Sequence, residues 1–149
     1  MTLARARLAQ VPGLAAILWA YTRAAPGQPC ARSRADDLWV LTRETGQGRV
    51  RLAHLRGRIA GFLLRDRARL HALYVGPAQR GQGVGRALMA EAQAQAARLE
   101  LWVLATNLPA RRFYRRAGFV EGGHDPQGGG NDEGLPDIRM VWTGEGRPA

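Results

Sequence analysis

Between Leu73 and Met89 the chain reads LYVGPAQRGQGVGRALM, and no other segment restricts its fold as much. Leu73, Tyr74 and Val75 suit the end of a strand. Gly81, Gly83 and Gly85 follow, and Val84, Leu88, Ala92, Ala96 and Leu99 then recur at helical spacing. The pattern predicts a strand, a glycine-rich turn and a helix that begins inside the turn. The first amides of a helix have no intrahelical acceptor, and the helix dipole favours negative charge beside them. With no side chains in the way, such a turn can wrap a phosphate or pyrophosphate. Arg80 and Arg86 add charge-assisted donors at the same place. The segment lacks the Gly-Lys-Ser/Thr ending of a Walker loop, and Gly85 falls one position too early for the dinucleotide fingerprint. By itself, a glycine turn before a helix also fits ordinary turn chemistry.

The surrounding elements alternate without a linker or an internal repeat. Thr2 to Leu8 alternates like an edge strand, Pro12 suits a first helical turn, and Leu14, Ile17, Leu18 and Tyr21 share one helical face. Ala35 to Glu44 reads as a short helix, with a strand as the alternative, closed by Gly46 and Gly48. Val50 to Leu55 and Ile59 to Leu64 read as strands around an Arg56-Gly57 turn, and Leu70 to Val75 as a further strand. Beyond the central helix, Leu101 to Ala105 is a strand and Ala110 to Ala117 a short helix stopped by Gly118. Phe119 and Val120 open another strand, His124 to Pro136 is a Gly/Asp loop, and Ile138 to Trp142 is a last strand. A meander followed by helix-joined strands belongs to the mixed α/β class.

At 149 residues the chain has the length of one domain. A domain of that size buries ~70% of its unfolded surface, enough for a core without staples. Hydrophobic residues at 46% and charged residues at 23% exclude disorder throughout. No apolar run approaches the ~18 to 20 residues that span a bilayer. A single cysteine, Cys30, excludes an intramolecular disulfide and a Cys-based zinc cluster. His54, His71 and His124 show no metal-ligand spacing, so no metal is expected. Arg5 and Arg7 ahead of the apolar stretch Val11 to Ala20 look superficially like a signal peptide. The strand-then-helix order fits a folded domain better, and a cytoplasmic protein is expected. All 22 basic residues are arginine. Residues 1–120 carry 20 of them against six acids, a net of +14, whereas six acids and two arginines lie from Glu121 onward. So basic a body suits nucleic acid, a membrane surface or a polyanionic cofactor, or else is dispersed, solvated charge.

About twenty residues beyond the glycine turn come Asn107, Ala110-Arg111-Arg112-Phe113-Tyr114 and Ala117-Gly118-Phe119. Together with Arg80-x-x-Gly83-x-Gly85 behind the Leu73-Tyr74-Val75 strand end, they make the sequence resemble the GNAT superfamily of acyl-CoA-dependent N-acyltransferases. The resemblance covers nearly the whole chain in element order and is specific over Leu73 to Phe119. Gly57-Arg58-Ile59-Ala60-Gly61-Phe62 is similar to the family's third strand, and the tail around Gly130-Asn131-Asp132-Glu133 and Trp142 to a bacterial branch. It implies one GNAT acetyltransferase domain over residues 1–149. The implied fold is α/β, a mixed sheet of six to seven strands flanked by about four helices, with strands four and five splayed.

The resemblance implies roles as well. Arg80, Gly81, Gln82, Gly83, Val84, Gly85 and Arg86 would bind the coenzyme A pyrophosphate. The backbone of Val75 would pair with pantetheine, and the Leu73 N–H would face the thioester carbonyl, where a donor stabilises a developing oxyanion. The side chains of Leu73 and Val75 read as plain core. Tyr114 would stand beside the coenzyme A sulfur. A neutral phenol of pKa ~10 can protonate a thiolate whose conjugate acid has pKa ~8.5. Packing against Phe113 is the other reading of Tyr114. Asn107 caps the short helix, with or without a cofactor contact. An amine acceptor must lose a proton before attack. His71, two residues before Leu73 and so expected on the same strand face, is a candidate base. A similarly placed histidine occurs in the arylalkylamine branch; a half-buried histidine without a role is the other reading. His124 and Glu100 are weaker candidates for the base.

The expected function is transfer of an acetyl group from acetyl-CoA to a primary amine, on a small molecule or a peptide, directly within a ternary complex. Cys30 has no neighbouring histidine in the local sequence that would favour an acyl-enzyme. A coenzyme A-binding module without turnover is one alternative. A nucleic-acid-binding domain is a weaker one: RRFYRR at Arg111 to Arg116 could form such a face, but a solvated helix near a phosphate-bearing cofactor accounts for it more cheaply, and the arginines elsewhere lack base-stacking aromatics. No membrane partner is expected, and the sequence leaves a homodimer open. Asp125, Asp132, Glu133 and Asp137 lie in or beside the loop that, in the family, joins the last two strands on the acceptor side. They would attract a cationic amine or merely keep the loop soluble.

Overall fold

The structure is a computed structural model and describes residues 1–23, 33–125 and 137–144. In chain order the elements are β1 (Thr2–Arg5), α1 (Val11–Arg23), α2 (Arg34–Gly46), β2 (Val50–Leu55), β3 (Arg58–Asp66) and β4 (Arg69–Val75). They continue as α3 (Val84–Gln95), β5 (Arg98–Leu104), α4 (Leu108–Arg116), β6 (Val120–Asp125) and β7 (Asp137–Thr143). Two-residue turn chemistry sets the meander: Arg56 and Gly57 both take left-handed backbone, at φ 54° and 78°, and close the β2–β3 hairpin.

The seven strands form one mixed sheet, as the resemblance implied, and their order is β1-β2-β3-β4-β5-β7-β6. Neighbouring strands are antiparallel except β4 and β5, which run parallel. That parallel junction is short. Arg69 opposite Glu100 is its one registered pair, where the Glu100 N–H donates to the Ala68 carbonyl at 2.7 Å. Beyond it the two strands have no ladder, so the sheet opens toward Val75 and Leu104.

Each face carries its own core. On one, α1 and α2 cover Val50, Leu52, Phe62 and Leu64 with Leu14, Ile17 and Leu41. On the other, α3 seals Leu63, Leu70, Leu99, Leu101 and Met140 with Val84, Leu88, Met89 and Ala92, and Phe113 and Tyr114 of α4 pack beside them. The apolar stretch that resembled a leader is thus the core-facing stripe of α1.

Several boundaries differ from those expected, four of them with a clear physical reason. The first strand stops at Arg5, and Leu8–Gln10 forms a 3-10 turn, with the Arg7 N–H donating to Gln10 Oε1 at 2.8 Å. Ala35 to Glu44 is helical and reaches from Arg34 to Gly46, because the Ser33 hydroxyl caps it by accepting from the Asp36 N–H at 3.1 Å. Leu99 is not on the central helix. That helix ends at Gln95, Ala96 is extended at φ −134° and ψ 141°, and Leu99 begins the period-two alternation of β5 with Leu101 and Val103. Its helical phase was a coincidence of spacing. The β6 strand extends to Asp125, through residues read as loop, because it pairs with β7 as far as Asp137.

Where β3 meets the end of β4, Gly61 allows a close approach. A Cβ there would lie 2.7 Å from the Tyr74 carbonyl oxygen and 3.0 Å from Val84 Cγ1. Gly61→Ala should therefore cost about 1–3 kcal/mol of stability as an overpacked site. Urea unfolding reads this directly, and an unchanged midpoint would mean the strand ends are less tightly joined to α3.

Candidate active site

The open seam exposes particular backbone groups. The Gly76 N–H donates to the Ala60 carbonyl at 2.8 Å, and the register sets Gly61 opposite Val75, so residues 60 and 76 form a hydrogen-bonded pair. Alternation along an antiparallel ladder then makes Phe62–Tyr74 and Leu64–Ala72 the next such pairs. The N–H and C=O groups of Leu73 and Val75 consequently point away from β3, toward the strand that has diverged from them. A polar edge facing an opening is a template for another extended chain.

Just past this edge lies the glycine turn. Gly81 and Gly83 take left-handed backbone at φ 78° and 81°, and a Cβ on either would meet nothing within 4 Å. Gly83 is the residue before α3, with no side chain to cap the helix, and the first turn of α3 holds no acid. The amides of Val84, Gly85 and Arg86 are thus the unpaired start of a helix. Arg80 and Arg86 are exposed at either end of the turn, while Gln82 reaches back to the Ala78 carbonyl at 3.3 Å. Gly85 lies against the other parts of the site: its missing Cβ would stand 3.5 Å from the Phe113 ring and from Val75 Cγ2. The residues fit a pyrophosphate-bearing ligand with an extended arm.

The short helix α4 supplies the titratable side chain. Asn107 caps it, Oδ1 accepting from the Ala110 N–H at 3.3 Å, while Nδ2 donates to the Tyr21 hydroxyl oxygen at 3.3 Å. Seven residues on, and so two helical turns below, Tyr114 packs edge-on against Phe113 and Phe119, with ring centroids 5.4 and 5.7 Å away. Burial raises the Tyr114 pKa well above the ordinary tyrosine value, and the Tyr74 and Tyr21 phenols add to the shift. Tyr21 and Tyr74 themselves lie on the α1 face, ring centroids 4.9 Å apart. Three phenols from α1, β4 and α4 therefore converge on the seam. In the sequence Tyr21 and Tyr74 stand out only as residues of their elements. Their signal, two tyrosines on elements flanking the glycine motif, had no spacing of its own.

His71 sits at an irregularity of the β3–β4 ladder and not in regular alternation with Leu73. In the β3–β4 ladder Leu64 opposes Ala72 but Arg65 opposes Leu70, leaving His71 as the extra residue of a bulge. Counting by twos across a bulge fails. Leu70 and Leu73 both join the α3-side core, while His71 is exposed toward Glu44 near the end of α2 and Arg49 just beyond it, not on the face of the Leu73 side chain. Desolvation, followed by the nearby Arg69 charge, lowers its pKa. Glu100 is spent on ion pairs: Arg139 grips it at 2.8 and 3.1 Å and Arg98 at 3.1 Å, and the Arg139 hydrogen bond leads the lowering of its pKa. Asp137, expected beside the acidic loop, is buried as the first residue of β7, opposite Leu104 and Asp125, and so is not free to attract a cation at the surface. Asp132, Glu133 and Cys30 lie outside the described residues. Of the RRFYRR run, Arg111 binds the Ala105 carbonyl at 2.8 Å and, with Arg115, Glu121, so part of that charge fastens α4 in place. Among the described residues no group of three or more His, Cys, Asp or Glu is placed to hold a metal, and no helix is long and apolar enough to cross a membrane.

The model of the acetyltransferase (GNAT) domain matches residues 32–121. The chain belongs to the GNAT acetyltransferases, a family of acyltransferases whose general reaction moves an acetyl group from acetyl-CoA to an amine. It is 35% identical over 92 residues to an uncharacterised N-acetyltransferase of Archaeoglobus fulgidus, covering 51% of this chain and 61% of that one. It is also 40% identical over 68 residues to one of Methanocaldococcus jannaschii, covering 42% of this chain and 30% of that one. The match therefore spans about three fifths of one relative and less than a third of the other. A Salmonella typhimurium protein solved with its cofactor acetyl-CoA has the same fold at 19% identity. The TM-score is 0.73, and 100% of this chain and 96% of that one are covered.

The raised Tyr114 pKa has a measurable consequence. Its stabilising contribution is complete below the ordinary tyrosine pKa of ~10 and is lost as pH rises through the higher folded value. Between neutral pH and strongly alkaline solution, the protein should lose more stability than its Tyr114→Phe variant. Parallel pH dependences of the two would show that the phenol is not desolvated.

Proposed function

We propose that the chain is an N-acetyltransferase carrying an acetyl group from acetyl-CoA to a primary amine, on a small molecule or a peptide, by direct transfer in a ternary complex. The observation that carries this reading is the free backbone edge of Leu73 and Val75 at a seam shared by the uncapped glycine turn and the Tyr114 phenol. When bound, acetyl-CoA supplies the acetyl group as a thioester. The amides of the Arg80 to Arg86 turn hold its pyrophosphate, with the two arginine side chains as charge-assisted donors. Val75 pairs its backbone with the pantetheine amides, as a neighbouring strand would. The Leu73 N–H faces the thioester carbonyl and stabilises the negative charge that builds on its oxygen.

Tyr114 gives its proton to the departing sulfur. Because its pKa is raised, the phenol stays neutral wherever the acceptor amine can be deprotonated, so the proton is in place at the working pH. His71 takes the proton released by the amine, through water. Its lowered pKa keeps it neutral at neutral pH, and the bulge turns it toward the α1–α2 face, opposite the cofactor helices. Asn107 holds the start of α4. The acceptor is bounded only by being an amine.

Three outcomes test the reading. Coenzyme A should raise the melting temperature by mass action, and Gly83→Asp should abolish the increase while Gly83→Ala, which carries the backbone strain without the charge, keeps part of it. Equal stabilisation of parent and Gly83→Asp would misplace the pyrophosphate. In a screen of amines with acetyl-CoA, read by thiol release, Tyr114→Phe should lower kcat by roughly 10² or more with little change in coenzyme A affinity. An unchanged kcat would return Tyr114 to packing. Finally, kcat/KM should fall with acid through a pKa below the ordinary histidine value, and His71→Gln should remove that limb. Persistence of the limb in the variant would assign the base elsewhere.

A further inference from the structure

Tyr21 and Asn107 make a contact that neither the helix cap nor the cofactor turn requires. Asn107 needs only Oδ1 to cap α4, yet its Nδ2 reaches 3.3 Å to the hydroxyl of Tyr21, 86 residues away in sequence. Tyr21 stands on α1, on one face of the sheet; α4 packs with α3 on the other. The hydrogen bond therefore crosses the mouth of the seam between β4 and β5. It also falls where α4 has little else. This nine-residue helix buries no residue fully, and four of its residues are arginines. A helix that short is marginal in isolation and depends on its fastenings. Its C-terminal half is held by Gln93, which donates to the Ala117 carbonyl at 2.8 Å, and by Glu121 with Arg115. Its N-terminal end is held by the Asn107 cap and the Arg111 bond to the Ala105 carbonyl. Of these fastenings, the Tyr21 bond alone comes from across the seam.

We propose that Tyr21 is a positioning residue: through Asn107 it fixes the start of α4, and with it the Tyr114 hydroxyl two turns below. Proton transfer to a leaving sulfur requires the phenol within hydrogen-bond reach, and a shift of about 1 Å is enough to lose it. The geometry gives Tyr21 a second constraint that makes the anchor stiff, since its ring is also packed 4.9 Å from that of Tyr74 on β4. The anchor thus refers Tyr114 to β4, the strand whose edge would carry the thioester. The titratable groups that face the Tyr114 phenol are Tyr74 of β4 and Tyr21 of α1, while Arg111 and Arg115 on its own helix are tied to Glu121. This inference rests on the placement of Tyr114 beside the sulfur.

The test uses coenzyme A itself and reads the ionisation of its bound thiol from thiolate absorbance, with the desulfo-coenzyme A complex as blank. A phenol donating to the thiolate lowers the thiol pKa, so Tyr114→Phe should return it to the free value. Tyr21→Phe, which removes one oxygen and keeps the ring on Tyr74, should abolish at least half of the lowering. Asn107→Ser, which keeps a capping oxygen, should do the same. Adding Tyr21→Phe to Tyr114→Phe should change nothing further, because both act on one phenol. In the free protein, Tyr21→Phe should also speed amide hydrogen exchange at Ala110 and Arg111 several-fold. A Tyr21→Phe protein with parental thiol pKa, or with an effect undiminished in the Tyr114→Phe background, overturns the inference and leaves the site reading intact. A Tyr114→Phe protein with parental thiol pKa overturns both.

Discussion

Everything in the candidate site depends on one structural constraint, the failure of β4 and β5 to stay paired. Parallel neighbours in a sheet ordinarily satisfy each other's backbone groups along their length. Here the ladder has a single registered pair, and two residues' worth of donors and acceptors on β4 face an opening. Such groups are costly if buried without partners, so the opening must be filled by solvent or by a ligand that mimics a strand. The same divergence lets side chains from both faces of the sheet meet. Tyr21 and Tyr74 come from the α1 side and Tyr114 from the α3–α4 side, and the first two reach Tyr114 because no closed sheet lies between them.

Charge is arranged around that opening in a way the bare excess of arginine does not reveal. Glu44, Glu91, Glu100 and Glu121 are each bound by arginine, Glu91 by both arms of Arg51 at 2.7 and 2.8 Å. Glu44 is buried, Glu91 and Glu100 are half-buried and Glu121 is exposed; a pair at the surface contributes roughly 0–1 kcal/mol, and the main effect of the set is geometric. They fasten α2, α3, α4 and β7 to their neighbours while consuming the negative charge. What remains at the glycine turn is positive: Arg80 and Arg86 beside bare helix amides, with no acid in the first turn of α3. The field at the turn favours an anion before any specific contact is made.

The division of labour between the two faces follows from the same geometry. Under the proposed function, phosphate binding needs only backbone and dispersed cations, and the exposed, glycine-rich turn supplies them. Proton transfer needs a group held to within a fraction of an ångström, and the proposed donor is on a helix fastened at both ends. Tyr114 is half-buried among Phe113, Phe119 and two further phenols, surroundings that keep it neutral and orient its ring.

The strand–turn–helix around Gly83 was legible in the sequence because its determinants are local: left-handed backbone suits glycine, and an uncapped helix start follows from the residue types themselves. The same holds for Asn107 as a cap, for the Arg56-Gly57 hairpin, and for the alternation of Leu99, Leu101 and Val103 once the helix is seen to stop. Tertiary structure alone decided the rest. The bulge that carries His71 to the other face arises from a mismatch between two strands, and no count along one strand can detect it. Asp137, which borders the acidic loop in sequence, is buried because β7 begins with it, a consequence of pairing with β5 and β6. The contact between Tyr21 and Asn107 spans 86 positions and exists because the sheet opens between them. Short-range conformational preference is written residue by residue, whereas register, splay and the meeting of side chains across a seam are properties of the packed whole.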